Sequence, residues 1–301
     1  VSDTHRPGLL FGVGAYVCWG TFPAFFPLLN PASALEVLAH RIVWNFLLMI
    51  VVVAVVRRLG DLKRITGRTW LLLAAASALI SINWGIYVYA VNNGHVVDAA
   101  LGYFINPLVV VGLGLIVFRD RLNRAQFVAL AVAATGVVVL TVEVDAPPYI
   151  GLGLALSFGL YSAVKKVVTT DPRVSVGVEA GIATPFAAAY IVVLQTTGHA
   201  TFTDHGGDHV ALMVLSGVLT AVPLLLFAAA AQRLPLVTMG LLFYLTPVMQ
   251  LTWGVFVGRE PMPPARWVGF TLIWMALLVF SVDTIGRSRA DRQLCETAGS
   301  P

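Results

Sequence analysis

Residues 101–120 read LGYFINPLVVVGLGLIVFRD, and residues 241–260 read LLFYLTPVMQLTWGVFVGRE. Laid over one another at an offset of 140 positions, they put Pro107 on Pro247, Gly114 on Gly254, Arg119 on Arg259 and Asp120 on Glu260, with Tyr103-Phe104 on Phe243-Tyr244. The overlay runs without a gap from Ser77–Ala129 to Gly217–Gly269, and ten of its 53 pairs are identical. Between two apolar stretches that identity means little. The coincidence of the helix breakers with the charge pair that ends each run means more, and the chain reads as two copies of one unit.

The size of the unit follows from the rest of the sequence. Of the 301 residues, 58% are hydrophobic and 11% charged, and the mean hydropathy is +0.86. Soluble domains carry about 25% charged residues, so this chain cannot cover a water-facing surface and is expected to be a polytopic membrane protein, all-α. A bilayer-crossing helix needs roughly 20 apolar residues. Ten such runs stand out, bounded by charges or by Gly/Pro turns: 8–28, 36–56, 71–91, 99–118, 125–142, 149–167, 176–197, 210–231, 236–257 and 267–285. The first is too long for a signal-peptide core and lacks a cleavage site behind it. Five spans make one unit, and an odd number returns the chain to the opposite side, so the second unit is expected upside down. The divisions are residues 1–145, residues 146–286 and a disordered cytoplasmic tail over 287–301.

Charge placement gives the same orientation independently. With the N-terminus inside, sixteen of the 19 Lys and Arg fall in cytoplasmic loops, two (Arg259 and Arg266) fall outside, and Arg41 lies within a span. Basic residues resist translocation, so both termini are expected in the cytoplasm. The basic balance therefore orients the chain and implies no nucleic-acid partner. Cys18 and Cys295 fall in different compartments and cannot pair. No metal spacing, phosphate loop or nucleophile elbow appears, which excludes an ATP-driven pump built from this chain alone and implies no cofactor.

Polar residues inside apolar spans need partners, so each marks either a cavity or an interhelical bond. Asn83, Tyr87 and Asn92 approach one stripe of the third span. Asn106-Pro107 and Thr246-Pro247 stand mid-span at repeat-matched positions, where proline removes a backbone donor and bends or locally unwinds the helix. Beside these breaks Tyr103, Tyr244 and Gln250, with Trp19 of the first span, offer aromatic faces and a few hydrogen bonds suited to an amphipathic organic solute. Arg41 sits beside His40, and at depth it needs a partner or a task, unless it snorkels outward. Glu36 and Glu179 begin the second span of each unit, where they either cap helices through the dipole or act as gating or proton-carrying acids. Asp98 reads as an N-cap, and Lys165-Lys166 as a cytoplasmic anchor.

The strings GAYVCWGTFPAFFPLL, EVLAHRIVWNF, NWGIYVYAVNNGHVVDAALGYFINPL, GLALSFGLYSAVKK and VPLLLFAAAAQRLPLVTMG resemble the RarD-type permeases, in the EamA-like branch of the drug/metabolite transporter superfamily. The resemblance covers nearly the whole chain and is most specific in HR-x-x-W at His40 to Trp44. It implies ten helices as two inverted five-helix repeats in the cytoplasmic membrane of a bacterium, with spans three, four, eight and nine around a central cavity. The family label derives from chloramphenicol sensitivity or resistance. Two departures make the cavity more apolar: Pro27 stands where the family often has Lys, and Phe243 where it often has Gln.

Together these readings predict a secondary transporter that moves a small amphipathic metabolite or drug, outward by preference. Glu36, His40 or Glu179 would serve proton coupling, with a facilitator fitting equally well. The chain would act as a monomer or homodimer among membrane lipids. The alternative is an integral-membrane enzyme handling lipid headgroups, which should gather acids, His or Ser at one membrane face.

Overall fold

The computed structural model describes residues 2–117, 124–142, 149–231, 233, 242–264, 267–272, 274–276, 278–279 and 282, and among these there are helices and no strands. The expected tail from residue 287, with Cys295, and the repeat residues Arg119 and Asp120 lie outside the described residues. The helices are α1 (Ser2–Gly20), α2 (Phe22–Phe25), α3 (Ala34–Val55), α4 (Gly67–Asn92), α5 (Val96–Val117), α6 (Arg124–Val142), α7 (Tyr149–Val167), α8 (Pro172–Thr196), α9 (Gly206–Ala231) and α10 (Leu245–Thr252), the last continued by a π turn at Trp253–Val257. A further apolar helix lies at Trp267–Ala276.

Among the described residues, four helices are long and apolar enough to cross a bilayer: Ala34–Val55, Gly67–Asn92, Pro172–Thr196 and Gly206–Phe227. A fifth span forms if Pro7–Gly20 and Phe22–Leu29, bent by 40°, are taken together. That bend interrupts the single first span read from the sequence. Thr21 donates its hydroxyl to the Cys18 carbonyl at 2.8 Å, and Pro23 and Pro27, which lack N–H groups, open the two short turns that follow. The outside is apolar, with Ile116 and Phe186 81% and 77% exposed, while Arg41, Asn83 and Gln250 are buried. A chain with its polar groups inside and its large apolar groups outside is built for lipid: this is a helical membrane protein.

Local chemistry fixes the helix starts. Ser33 and Thr66 accept from the backbone N–H of Glu36 and Thr69, and Asp171 accepts from Arg173 N at 2.9 Å ahead of Pro172. Asp98 is not the cap of α5, contrary to expectation: it lies within the first turn, 3.2 Å from His95 Nδ1. The cap comes from Glu260, whose two carboxylate oxygens accept from Val96 N and Val97 N at 2.7 and 2.8 Å. Burial raises the Glu260 pKa above the ordinary carboxylate value despite these two bonds.

The helix pairings have a regular form. α1 packs on α9 and α4 on α7; α1 packs on α10 and α5 on α7; α3 packs on α9 and α4 on α8. Each pairing turns into its companion when α1, α3, α4 and α5 are exchanged for α7, α8, α9 and α10, and the α3–α8 pairing maps onto itself. α3 and α8 run antiparallel. Glu36, at the start of α3, accepts from Thr201 N just beyond the end of α8 at 2.7 Å, while Val53, near the end of α3, packs with Val174 and Val178 at the start of α8. α5 and α7 meet through glycine, since a Cβ on Gly102 would lie 2.6 Å from the Gly151 carbonyl oxygen.

The two proline positions behave differently. The helical backbone of α5 continues through residue 107, so of the expected bend or local unwinding the unwinding is absent there; membrane helices tolerate proline where neighbours re-satisfy the freed groups. Pro247 instead falls in the first turn of α10, after a turn at Tyr244, where a missing N–H leaves no intrahelical bond unmade.

Candidate functional site

Aromatic rings from both halves meet at the centre. The repeat-matched pair Tyr103 and Phe243 meets edge to face, with centroids 6.4 Å apart. Phe158 touches both rings, Tyr87 lies 5.7 Å from Tyr103, and Phe243 continues to Tyr244 at 6.4 Å and to Tyr16 at 5.8 Å. Tyr16 in turn contacts Trp19. Thus Trp19, Tyr87, Tyr103 and Tyr244, read separately from the sequence, belong to one connected ring cluster.

The amides divide into two groups. Asn83 donates to the Leu154 carbonyl and to Ser157 Oγ, each at 3.0 Å, and its oxygen accepts from Tyr103 OH at 3.4 Å. It ties α4 to α7 and also orients Tyr103. Gln250 donates to the Trp19 carbonyl at 3.1 Å, and its repeat-half neighbour Thr246 donates to the Tyr16 carbonyl at 2.9 Å, which pins α10 to α1. Left without hydrogen-bond partners are Gln250 Oε1, Asn106 Oδ1 and Tyr87 OH, all buried. Unpaired buried polar atoms cost free energy, and three of them around a ring cluster offer fixed attachment points to a polar solute. Both amide atoms of Asn92, in the last turn of α4, are likewise buried and unpartnered.

Arg41 does not snorkel. It is 1% exposed, donates from Nε to Thr220 Oγ1 of α9 at 3.0 Å, and holds its guanidinium carbon 5.5, 4.9 and 5.0 Å from the ring centres of Phe22, Phe26 and Trp84. The bend after α1 supplies two of these rings. His40 stacks on Phe202 at 4.4 Å, and its Nε2 has no partner. Glu36 lies in the first turn of α3, where the dipole favours a carboxylate, and it reaches across to Thr201; the N-cap hydrogen bond itself is made by Ser33.

Glu179 is 4% exposed and caps nothing. Lys165 Nζ lies 2.6 Å from its Oε1; Ser175 donates to the same oxygen at 2.8 Å, and Tyr161 donates to Oε2 at 3.1 Å. Lys165 also donates to Ser175 Oγ, and Ser77 donates to the Glu179 backbone carbonyl at 2.6 Å. Lys165, read as a cytoplasmic anchor, is also the counter-charge of the buried acid. A cavity beside this pair is lined by Asn45, Ser81, Trp84, Tyr161 and Glu179. Of the residues missed, Lys165 carried a faint signal, since a basic residue at a span end has two uses; Thr220 and the rings of Phe22 and Phe26 carried none that spacing reveals.

The pattern of the EamA-like transporter family matches the chain twice, over residues 6–142 and 148–282. The chain belongs to that family. Among relatives of this EamA chain, Protein RarD of Streptomyces exfoliatus is 43% identical over 299 residues, covering 99% of this chain and 95% of its own. Protein RarD of Escherichia coli is 37% identical, covering 94% and 97%. The Pseudomonas aeruginosa protein named chloramphenicol-sensitive protein RarD is 28% identical, covering 92% and 94%. A crystal structure with 17% identity aligns with a TM-score of 0.61 over 92% of this chain and 97% of its own, and so shares the fold. The chain is thus a RarD-type EamA protein, a membrane transporter of the drug/metabolite superfamily rather than an enzyme.

Proposed function

We propose that this chain is a secondary transporter of a bacterial cytoplasmic membrane, with ten spans in two inverted halves and both termini in the cytoplasm. It carries a small amphipathic organic solute outward by alternating access. The observation that carries the reading is the meeting of Tyr103 and Phe243, repeat mates from the two halves, inside a ring cluster edged by unpartnered polar atoms. Repeat mates touch only near the axis that relates the halves, and a site on that axis opens to either side when the halves exchange conformations. The paired helix contacts, the antiparallel run of α3 against α8 and the twofold match to the family support the inversion.

The acids read as coupling candidates are engaged. Glu36 accepts a backbone N–H, and Glu179 is neutralised by Lys165. His40, the third candidate, has an unpartnered Nε2 but is stacked on Phe202 away from the ring cluster's Tyr103 and Phe243; with both acids engaged, the reading is a facilitator that follows the solute's own gradient. In proteoliposomes loaded with chloramphenicol, the compound that the Pseudomonas relative's name puts first, efflux should exceed that of empty vesicles and ignore an imposed pH gradient. Tyr103→Ala and Phe243→Ala should each slow efflux about tenfold, the loss of roughly 1.4 kcal/mol of ring contact, while the purified variants still fold. Flux that follows the proton gradient contradicts the facilitator reading. Flux indifferent to both ring substitutions contradicts the site.

A further inference from the structure

We propose that the solute carried through this site is an organic anion and that Arg41 binds its charged group; this rests on the transporter reading above and names its substrate class. Arg41 is the one fully buried cation whose charge nothing answers among the described residues. Among the described residues no carboxylate lies within 4.0 Å of it, its single hydrogen bond goes from Nε to Thr220, and Nη1 has no partner. Lys165, by contrast, has Glu179.

The rings of Phe22, Phe26 and Trp84 attract the guanidinium and exclude water from it, but they supply no counter-charge. A charge left in this state is expensive, and the expense is relieved when a partner arrives. The planar fork of Arg is suited to the two oxygens of a carboxylate. A second donor is close by: the unpartnered hydroxyl of Tyr87 belongs to a ring that touches both Phe22 and Phe26. From Tyr87 the rings continue to Tyr103 and Phe243. An anionic head at Arg41 thus leaves its apolar body on the aromatic surface where the two halves meet. The inside-negative potential of a cell drives such an anion outward without a coupling ion.

The test is a melting-temperature series on the purified full-length protein, because a ligand that binds only the folded form stabilises it. The probes are phenylacetate, its neutral isostere phenylacetamide, the cation 2-phenylethylamine and the anionic lipid phosphatidylglycerol. Phenylacetate should raise the melting temperature and the amide and amine should not. Arg41→Met should raise the half-saturating phenylacetate concentration about tenfold or more, with Arg41→Lys between the two. In the absence of any probe, Arg41→Met should melt no lower than the parent, because an unanswered buried charge has been removed; a guanidinium that serves only packing would give a lower melting temperature. Equal shifts from the acid and the amide, a shift from the lipid alone, no shift from phenylacetate, or an undiminished shift in Arg41→Met would each overturn the proposal. Chloramphenicol is uncharged and lacks the group that Arg41 would bind, so it tests the transporter reading and not the anion class. Phenylacetate efflux from proteoliposomes that persists undiminished in Arg41→Met would overturn the anion class and leave the transporter reading standing, and loss of all solute flux in the parent protein would remove that reading itself.

Discussion

Gly217→Ala is expected to destabilise the protein by about 3 kcal/mol, at the upper end of what overpacking usually costs. A Cβ at this position of α9 would lie 2.3 Å from Trp44 Cβ, 2.7 Å from the Trp44 carbonyl carbon and 2.8 Å from Asn45 N on α3. Two of those atoms are backbone, so no side-chain rotation relieves the contact and the helices must separate. One turn farther along the same interface Arg41 donates to Thr220, so the separation also draws α9 away from the buried guanidinium. Small residues permit such close backbone approach in membrane interfaces, where packing rather than hydrophobic exclusion holds helices together. Gly207→Ala is the control, because a Cβ there meets nothing within 4 Å. Melting of the two variants in detergent checks the expectation, and equal melting temperatures would contradict it.

Lys165→Met is the second large effect, again about 3 kcal/mol, the lower end of the range for breaking a buried ion pair. The lower end applies because the lysine side chain keeps 24% of its exposure while that of Glu179 keeps 5%. Removing the ammonium leaves a carboxylate held only by Ser175 and Tyr161, a charge buried without its counter-charge. Glu179→Gln alone leaves the converse defect. The double variant Lys165→Met, Glu179→Gln should recover most of the loss, because a neutral amide beside a thioether has no charge to desolvate. A double-variant cycle in denaturation measurements separates the pair from its surroundings, and additive losses would mean the two groups act independently.

What could be read in the sequence and what could not divide along a physical line. Helix positions follow from runs of apolar residues, and these are local; the long spans at Ala34–Val55 and Gly206–Phe227 lie close to where hydropathy put them. The candidate site was legible in part for a different reason: proline, tyrosine and amide residues are costly in an apolar helix, so Tyr87, Tyr103 and Gln250, which the structure places in or beside the ring cluster, stood out by type. Their partners did not stand out. Glu260 caps a helix 164 positions away, and Arg41 bonds Thr220 across 179 positions; neither separation leaves a period or a spacing to detect. Local rules misassigned Asp98 as a cap for the same reason, because the competing carboxylate came from the other half of the chain. Nothing in the spacing of Phe22 and Phe26 sets them apart until the bend after α1 folds them over a guanidinium.

The central claim is that the two halves stand in opposite senses across the membrane. Arg121 and Pro261 are repeat mates at the offset of 140, just beyond the charged ends that align Arg119 with Arg259, and Pro261 is exposed. With Cys18 and Cys295 replaced by serine, single cysteines at positions 121 and 261 can be tested in intact cells with a membrane-impermeant maleimide. A cysteine at 261 should label from outside, and one at 121 only after the cells are permeabilised; labelling of both from the same side would contradict the account.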